Sequence, residues 1–257
     1  LEGFTGDLAQ NTTCTGRTVE LEQLLPPVDP PDVYCVGLNY ADHASEARFT
    51  PPKFPVHFLK STSSVSHHGA PIVIPKCASA KPEVDFEAEL ALVVGRSCRD
   101  VPPDAAAAAA CLAGYTAAND VSARRWQGKK GGGQWSRSKS FDTFCPLGPF
   151  LAFSGSVDAA TGSLVHQPLA IDYGALAVRS EVNGCVMQDS SSSSMVFSAA
   201  QLLAFLSQDT TLRPGTVILT GTPSGVGFAR DPPQFLSPGD EVRVVVGGLP
   251  PLVNVVQ

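Results

Sequence analysis

Apolar and polar positions alternate most regularly between residues 84 and 94, in "EVDFEAELALVV". Successive side chains of a strand point to opposite faces. One face would carry Val84, Phe86, Ala88, Leu90, Leu92 and Val94, the other Glu83, Asp85, Glu87 and Glu89 followed by Ala91 and Val93. Shorter apolar runs predict further strands at "VYCVG", ending at Gly37, at "AVRSEVNG", closing on an Asn-Gly turn, at "GTVILTGTP" and at "GDEVRVVVGG". Helical character is expected in "NYADHASEARF", broken by "TPPKFP", and in "PPDAAAAAACLAGY", where prolines and an aspartate precede six alanines. A third helix is expected in "FSAAQLLAFLSQ", with apolar residues at 197, 202, 203, 205 and 206. With 23 glycines and 22 prolines punctuating these segments, the pattern predicts an α+β fold dominated by β structure.

Composition narrows the class. The chain has 257 residues, 43% hydrophobic and 16% charged, which suits one large domain, here residues 31–257, behind a small N-terminal segment, residues 1–30. The formal net charge is −6 and no long basic run appears, so no nucleic-acid partner is expected. An anionic substrate would need cations placed locally, because the overall field does not attract it. Seven widely spaced cysteines without a CxxC predict reduced thiols in an intracellular protein rather than a disulfide scaffold or a zinc site. No apolar run approaches the ~18 residues of a membrane span.

The candidate chemistry lies on the acidic face. Four carboxylates on one face of a strand repel one another. Either the face is solvated, or a hard divalent cation sits among the acids and offsets their repulsion. Periodicity does not say which of the four would be ligands.

Further motifs bear on that choice. "VGLNYADHASE", "EVDFEAELALVVG", "AANDVSARRWQ", "GGGQWSRSKSFDTFCPLGPF" and "VILTGTPSGVG" run in order along the chain. Together they resemble the signature blocks of the fumarylacetoacetate hydrolase superfamily, and within it a branch associated with oxaloacetate keto–enol tautomerisation. The resemblance implies a mixed β-roll with short flanking helices, commonly dimeric. It implies a divalent cation, Mg²⁺ with Mn²⁺ or Ca²⁺ as alternatives, on Glu87, Glu89 and Asp120. It implies Lys139 beside that cation, and Arg124, Gln127 and Thr222 binding a small anionic 2-oxo acid. Ser192 stands where the family usually has a threonine, and its retained hydroxyl is expected to bind substrate, with a changed substrate preference as the alternative. His43 and Glu46 match a His-x-x-Glu pair on a lid, here near residues 39–57, that moves protons over the substrate. The implied reaction passes through an enolate stabilised by the cation. Its outcome would be tautomerisation of oxaloacetate or, alternatively, C–C hydrolysis of acylpyruvate-type β-diketo acids or decarboxylation of oxaloacetate. The expected compartment is mitochondrial or cytoplasmic.

Overall fold

The computed structural model describes residues 22–46, 50, 52–78, 81, 83–158, 164–167 and 171–257. Most of the N-terminal segment expected at 1–30, and residues 47–49 and 51 of the expected lid and hinge, lie outside the described residues.

The fold is β-dominated, as the alternation predicts. A seven-stranded mixed sheet has the order Val56–Lys60, Val33–Gly37, Val217–Leu219, Ala88–Val94, Leu112–Asn119, Cys145–Phe153, Val65–His67. Its pairings are antiparallel except Val33–Gly37 with Val217–Leu219 and Val65–His67 with Cys145–Phe153. A four-stranded antiparallel sheet has the order Cys185–Ser191, Ala177–Val182, Glu241–Val246, Leu252–Val255.

The strand Ala88–Val94 is central to the larger sheet and buried on both faces. Ala88, Leu90, Leu92 and Val94 pack with Leu203, Leu206, Val178 and Val244, joining the two sheets around one core. Ala91 and Val93 face the other way, against Val33, Cys35, Leu147 and Leu219. Alternation thus predicts the two faces correctly, but both are interior.

The alternating segment is not one strand. Val84–Asp85 pairs with Ser122–Ala123 in a separate two-stranded ladder, and Ala88–Val94 begins afresh beside Leu112–Asn119. The alanine-rich helix spans Ala105–Cys111, with the Asp104 side chain accepting from the Ala107 N–H. It stops where "LAGYTAAN" enters the strand Leu112–Asn119, because tertiary pairing with Ala88–Val94 outweighs the helical propensity of its alanines. The helix Ala199–Ser207 carries a full capping box, Ser198 with Gln201, and buries Leu202, Leu203 and Leu206. The Asn-Gly turn lies where expected, Asn183 and Gly184 both having positive φ between Ala177–Val182 and Cys185–Ser191. No helix of the described residues is long and apolar enough to cross a membrane.

Candidate active site

Sheet register assembles the acidic cluster. Ala88 pairs with Asn119 and Glu89 with Ala118, and the Asp120 N–H donates to the Glu87 carbonyl at 2.9 Å. Asp120, distant in sequence, therefore lies beside Glu87 and Glu89 at the ends of neighbouring strands. One carboxylate oxygen from each of the three lies within 4.8 Å of the others, and all three residues are buried. The solvated-face alternative does not hold for Asp85, Glu87 and Glu89, which are 0%, 5% and 1% exposed.

Cations compensate most of this buried charge. Lys139 Nζ lies 2.7 Å from Glu87 Oε2 and 2.5 Å from Asp120 Oδ2. Arg124 donates through Nη1 to Glu87 at 2.7 Å and through Nε to Asp85 at 2.8 Å. Lys60, on the edge strand, places Nζ 2.5 Å from Asp120 Oδ1 and 3.2 Å from the Val121 carbonyl. Burial pushes the Glu87 carboxyl up, but Lys139 and Arg124 outweigh it and hold the group well below the usual carboxylate range. Glu89 goes the other way. Burial, then the charges of Asp120 and Glu87, push it well above that range, while Lys139 and the Gly221 N–H oppose them less strongly. The Gly221 N–H reaches Glu89 Oε2 at 2.7 Å.

Glu89 is thus a carboxyl that is costly to ionise unless more positive charge arrives. Three hard oxygen donors converging on one point, with one of them undercompensated, fit a divalent cation and do not fit a soft-metal site.

A cavity of 410 Å³ opens on this cluster. Glu87, Glu89, Lys139, Arg124, Gln127, Thr222 and His43 all line it, with Val36, Leu38, Phe58, Trp135 and Phe228 as apolar wall. Arg124 and Gln127 occupy one helical turn, Arg124–Gln127, and Nη1 also donates to Gln127 Oε1 at 2.9 Å. The Arg124 guanidinium is therefore largely committed to protein acceptors, and it stacks on the Phe228 ring at 4.3 Å. The Thr222 hydroxyl donates to the Ala88 carbonyl at 2.9 Å and accepts from Gln188 Nε2 at 2.6 Å.

His43 and Glu46 lie on the short helix Ala41–Glu46, with His43 Nδ1 2.9 Å from Glu46 Oε1. Glu46 also accepts from the Gly225 N–H at 3.0 Å, and Asp42 accepts from the Ser224 hydroxyl at 2.7 Å. The helix is thereby docked on the loop that follows Thr222. That loop needs its glycine: Gly225 has φ +103, and a Cβ there would meet the Met187 carbonyl at 2.1 Å. Within the span 39–57, Val56 and His57 already belong to the edge strand.

Ser192 is not brought to the cavity. Its hydroxyl accepts from the Leu176 N–H at 2.9 Å, because the run Ser192–Ser194 forms a 3-10 turn against that backbone. Three residues hold the site in roles that the sequence pattern does not predict. Asp85 accepts from the N–H groups of Gly227 at 2.8 Å and Phe228 at 3.0 Å and so anchors a cavity wall. Asn39 bridges Thr220 and Phe197, and Lys60 clamps Asp120. The alternation of the edge strand was a usable signal for Lys60, since it places Lys60 on the same face as the buried Phe58.

Residues 32–257 match the family described as fumarylacetoacetate (FAA) hydrolase C-terminal. The chain is 42% identical over 231 residues to a mitochondrial oxaloacetate tautomerase of Xenopus laevis, covering 90% of this chain and 67% of that protein. It is 42% identical over 235 residues to a mitochondrial oxaloacetate tautomerase of Homo sapiens, covering 91% and 69%. Among solved structures, a 2-hydroxyhepta-2,4-diene-1,7-dioate isomerase from Mycobacterium marinum is similar at TM-score 0.76 and 38% identity, covering 94% of this chain and 81% of that one. A fumarylacetoacetate hydrolase from Exiguobacterium antarcticum is similar at TM-score 0.76 and 36% identity, covering 93% and 80%. With the family match spanning nearly the whole chain and the fold shared with such relatives, the chain belongs to the fumarylacetoacetate hydrolase family.

Proposed function

We propose that this protein interconverts the keto and enol forms of oxaloacetate with the help of Mg²⁺ held by Glu87, Glu89 and Asp120. As a member of its family it is an isomerase or a hydrolase. The observation that carries the finer reading is the placement of a His–Glu pair and a buried acidic cluster on one cavity. The names of the relatives at 42% identity favour oxaloacetate.

The cation, when bound, supplies Lewis-acid polarisation of a 2-oxo acid's carbonyl. The chain's own groups do the rest. Glu46 orients His43 through Nδ1, leaving Nε2 to take a proton from the carbon next to the carbonyl. The Gly225 N–H fixes Glu46 in turn. Lys139 adds positive charge where the oxygen becomes negative. Transfer of that same proton from His43 Nε2 to the oxygen completes the enol, and the reverse sequence restores the ketone. The apolar wall excludes water from the separated charges.

A second reading is C–C hydrolysis of an acylpyruvate-type β-diketo acid, favoured by the room along Val36, Leu38, Phe58 and Trp135 for an acyl chain. The mitochondrial relatives favour that compartment, and the family likeness favours a homodimer, which light scattering would read.

The test follows oxaloacetate enol absorbance with purified protein and Mg²⁺, with and without chelator, beside an acylpyruvate assay and a CO₂ assay. Fast chelator-sensitive interconversion with acylpyruvate intact supports the proposal. Acylpyruvate cleavage without faster interconversion replaces it with the hydrolase reading, and CO₂ release at the rate of oxaloacetate loss replaces it with decarboxylation.

A further inference from the structure

The cavity's cations are unequal. Of the three lining it, Lys139 is committed to Glu87 and Asp120, and Arg124 to Asp85 and Glu87 through Nε and Nη1, its buried Nη2 alone lacking a partner among the described residues. The Lys129 ammonium has no hydrogen-bond or ion-pair partner among the described residues, and the residue is exposed at the cavity's edge. Its backbone is nonetheless well held. Gly128 N–H donates to the Arg124 carbonyl at 2.9 Å, Gly132 N–H to the Lys129 carbonyl at 3.2 Å, and Gly133 N–H to the Gly128 carbonyl at 3.1 Å. A Cβ on Gly131 would lie 2.3 Å from the Arg125 carbonyl oxygen, so this turn is pressed against the helix that carries Arg124. A fixed backbone therefore carries this unpartnered, exposed lysine on the same short stretch that supplies Arg124 and Lys139.

That stretch reverses the chain's charge balance. Residues 124–139 contain Arg124, Arg125, Lys129, Lys130, Arg137 and Lys139 and no acid, in a protein of net charge −6. The local cations that an anionic substrate requires are collected here. The floor of the cavity, by contrast, is acidic, and the wall of Val36, Leu38, Phe58 and Trp135 offers no charge. A dicarboxylate with its 2-oxo acid end at the floor must direct its other carboxylate away from Glu87 and Glu89 and off the apolar wall.

We propose that Lys129 receives the carboxylate remote from the acidic cluster, so that the cavity selects dicarboxylic over monocarboxylic 2-oxo acids. This deepens the proposed function and rests on its placement of a 2-oxo acid at Glu87, Glu89 and Asp120. Lys129 touches no reacting atom in this scheme; it sets specificity.

The experiment measures KM and kcat for oxaloacetate, and the inhibition constant of pyruvate as a competing monocarboxylic 2-oxo acid. It compares wild type, Lys129→Met, Lys129→Arg and Lys130→Met. One charge-assisted contact in a partly open site changes affinity by about fivefold to tenfold. Lys129→Met is expected to raise KM for oxaloacetate by that factor, with kcat within about twofold and pyruvate inhibition unchanged. Lys129→Arg restores most of the loss, and Lys130→Met, whose side chain does not line the cavity, has no such effect. Equal changes for oxaloacetate and pyruvate, or no change for either, overturn the proposal. If wild type does not turn over oxaloacetate, the proposed reaction falls separately. Calorimetric titration of oxaloacetate and of pyruvate into wild type and Lys129→Met, with Mg²⁺ present, then decides the selectivity by the same pattern.

Discussion

Replacing Lys60 by Met separates the part of the site that is built for stability from the part proposed to receive the cation. Lys60 and Asp120 side chains are 0% and 1% exposed, so this ion pair sits fully inside the protein. The substitution leaves the Asp120 Oδ1 atom and the Val121 carbonyl without the donor now at 2.5 and 3.2 Å. Breaking a buried pair by removing one partner costs about 3–5 kcal/mol. At roughly 2–4 °C per kcal/mol for a domain of this size, the metal-free protein should melt about 6–20 °C lower. Removing one positive charge beside a divalent cation has the opposite sign for binding. The cluster becomes one charge more negative, and a ligand that binds the folded state stabilises it in proportion to its affinity. Mg²⁺ should therefore raise the melting temperature of Lys60→Met by more than it raises that of wild type. Thermal melts in chelator and in millimolar Mg²⁺ read both quantities. A metal-free melt within about 2 °C of wild type, or a smaller Mg²⁺ response in the variant, would refute the assignment of Lys60 as the buried counter-ion of Asp120.

Gly221→Ala should lose about 1–3 kcal/mol of stability, since φ is +98 and the added Cβ would lie 2.8 Å from Asn39 Cβ. It should also weaken Mg²⁺ in calorimetry, because the displaced N–H holds Glu89; unchanged affinity would show that this contact does not orient the ligand. Glu46→Gln should lower kcat by about a hundredfold or more while leaving Mg²⁺ affinity intact, as steady-state kinetics and calorimetry would show. Glu89, raised by burial and its acidic neighbours, contributes stability that is full below the unfolded carboxyl range and lost as pH rises through its folded value. In chelator, Glu89→Gln should therefore gain stability over wild type as pH climbs from about 4.5 towards neutrality, and Mg²⁺ should abolish that gain. A gain that shrinks with pH would contradict the sign. Glu87, held low by Lys139 and Arg124, loses its contribution in the opposite direction, as pH falls below the unfolded value.

Local patterns made much of this protein legible. The Asn-Gly turn, the capped helix Ala199–Ser207 and the strands ending at Gly37 and Leu219 depend on near neighbours in the chain, and their residues announce them. The acidic face was visible as alternation, and the resemblance of ordered motifs picked Glu87, Glu89, Asp120, Lys139, Arg124, Gln127, Thr222, His43 and Glu46, all of which the fold gathers in one region. Ser192, picked by the same motifs, lies outside the cavity lining, its hydroxyl accepting from the Leu176 N–H.

What the chain's pattern could not express is partnership between distant segments. Whether the acids face water or interior depends on the strands laid beside Ala88–Val94, and these come from residues 112–119 and 217–219. The end of the alanine-rich helix at Cys111 was decided by the same pairing. Asp85 anchoring Gly227 and Phe228, and Lys60 neutralising Asp120, are contacts across about 140 and 60 positions that no periodicity encodes. The sequence by itself determined which residue types were available and on which face of each element they lie. Only the tertiary structure decided which charges are buried together, because a charge's cost and its compensation depend on neighbours in space, not along the chain.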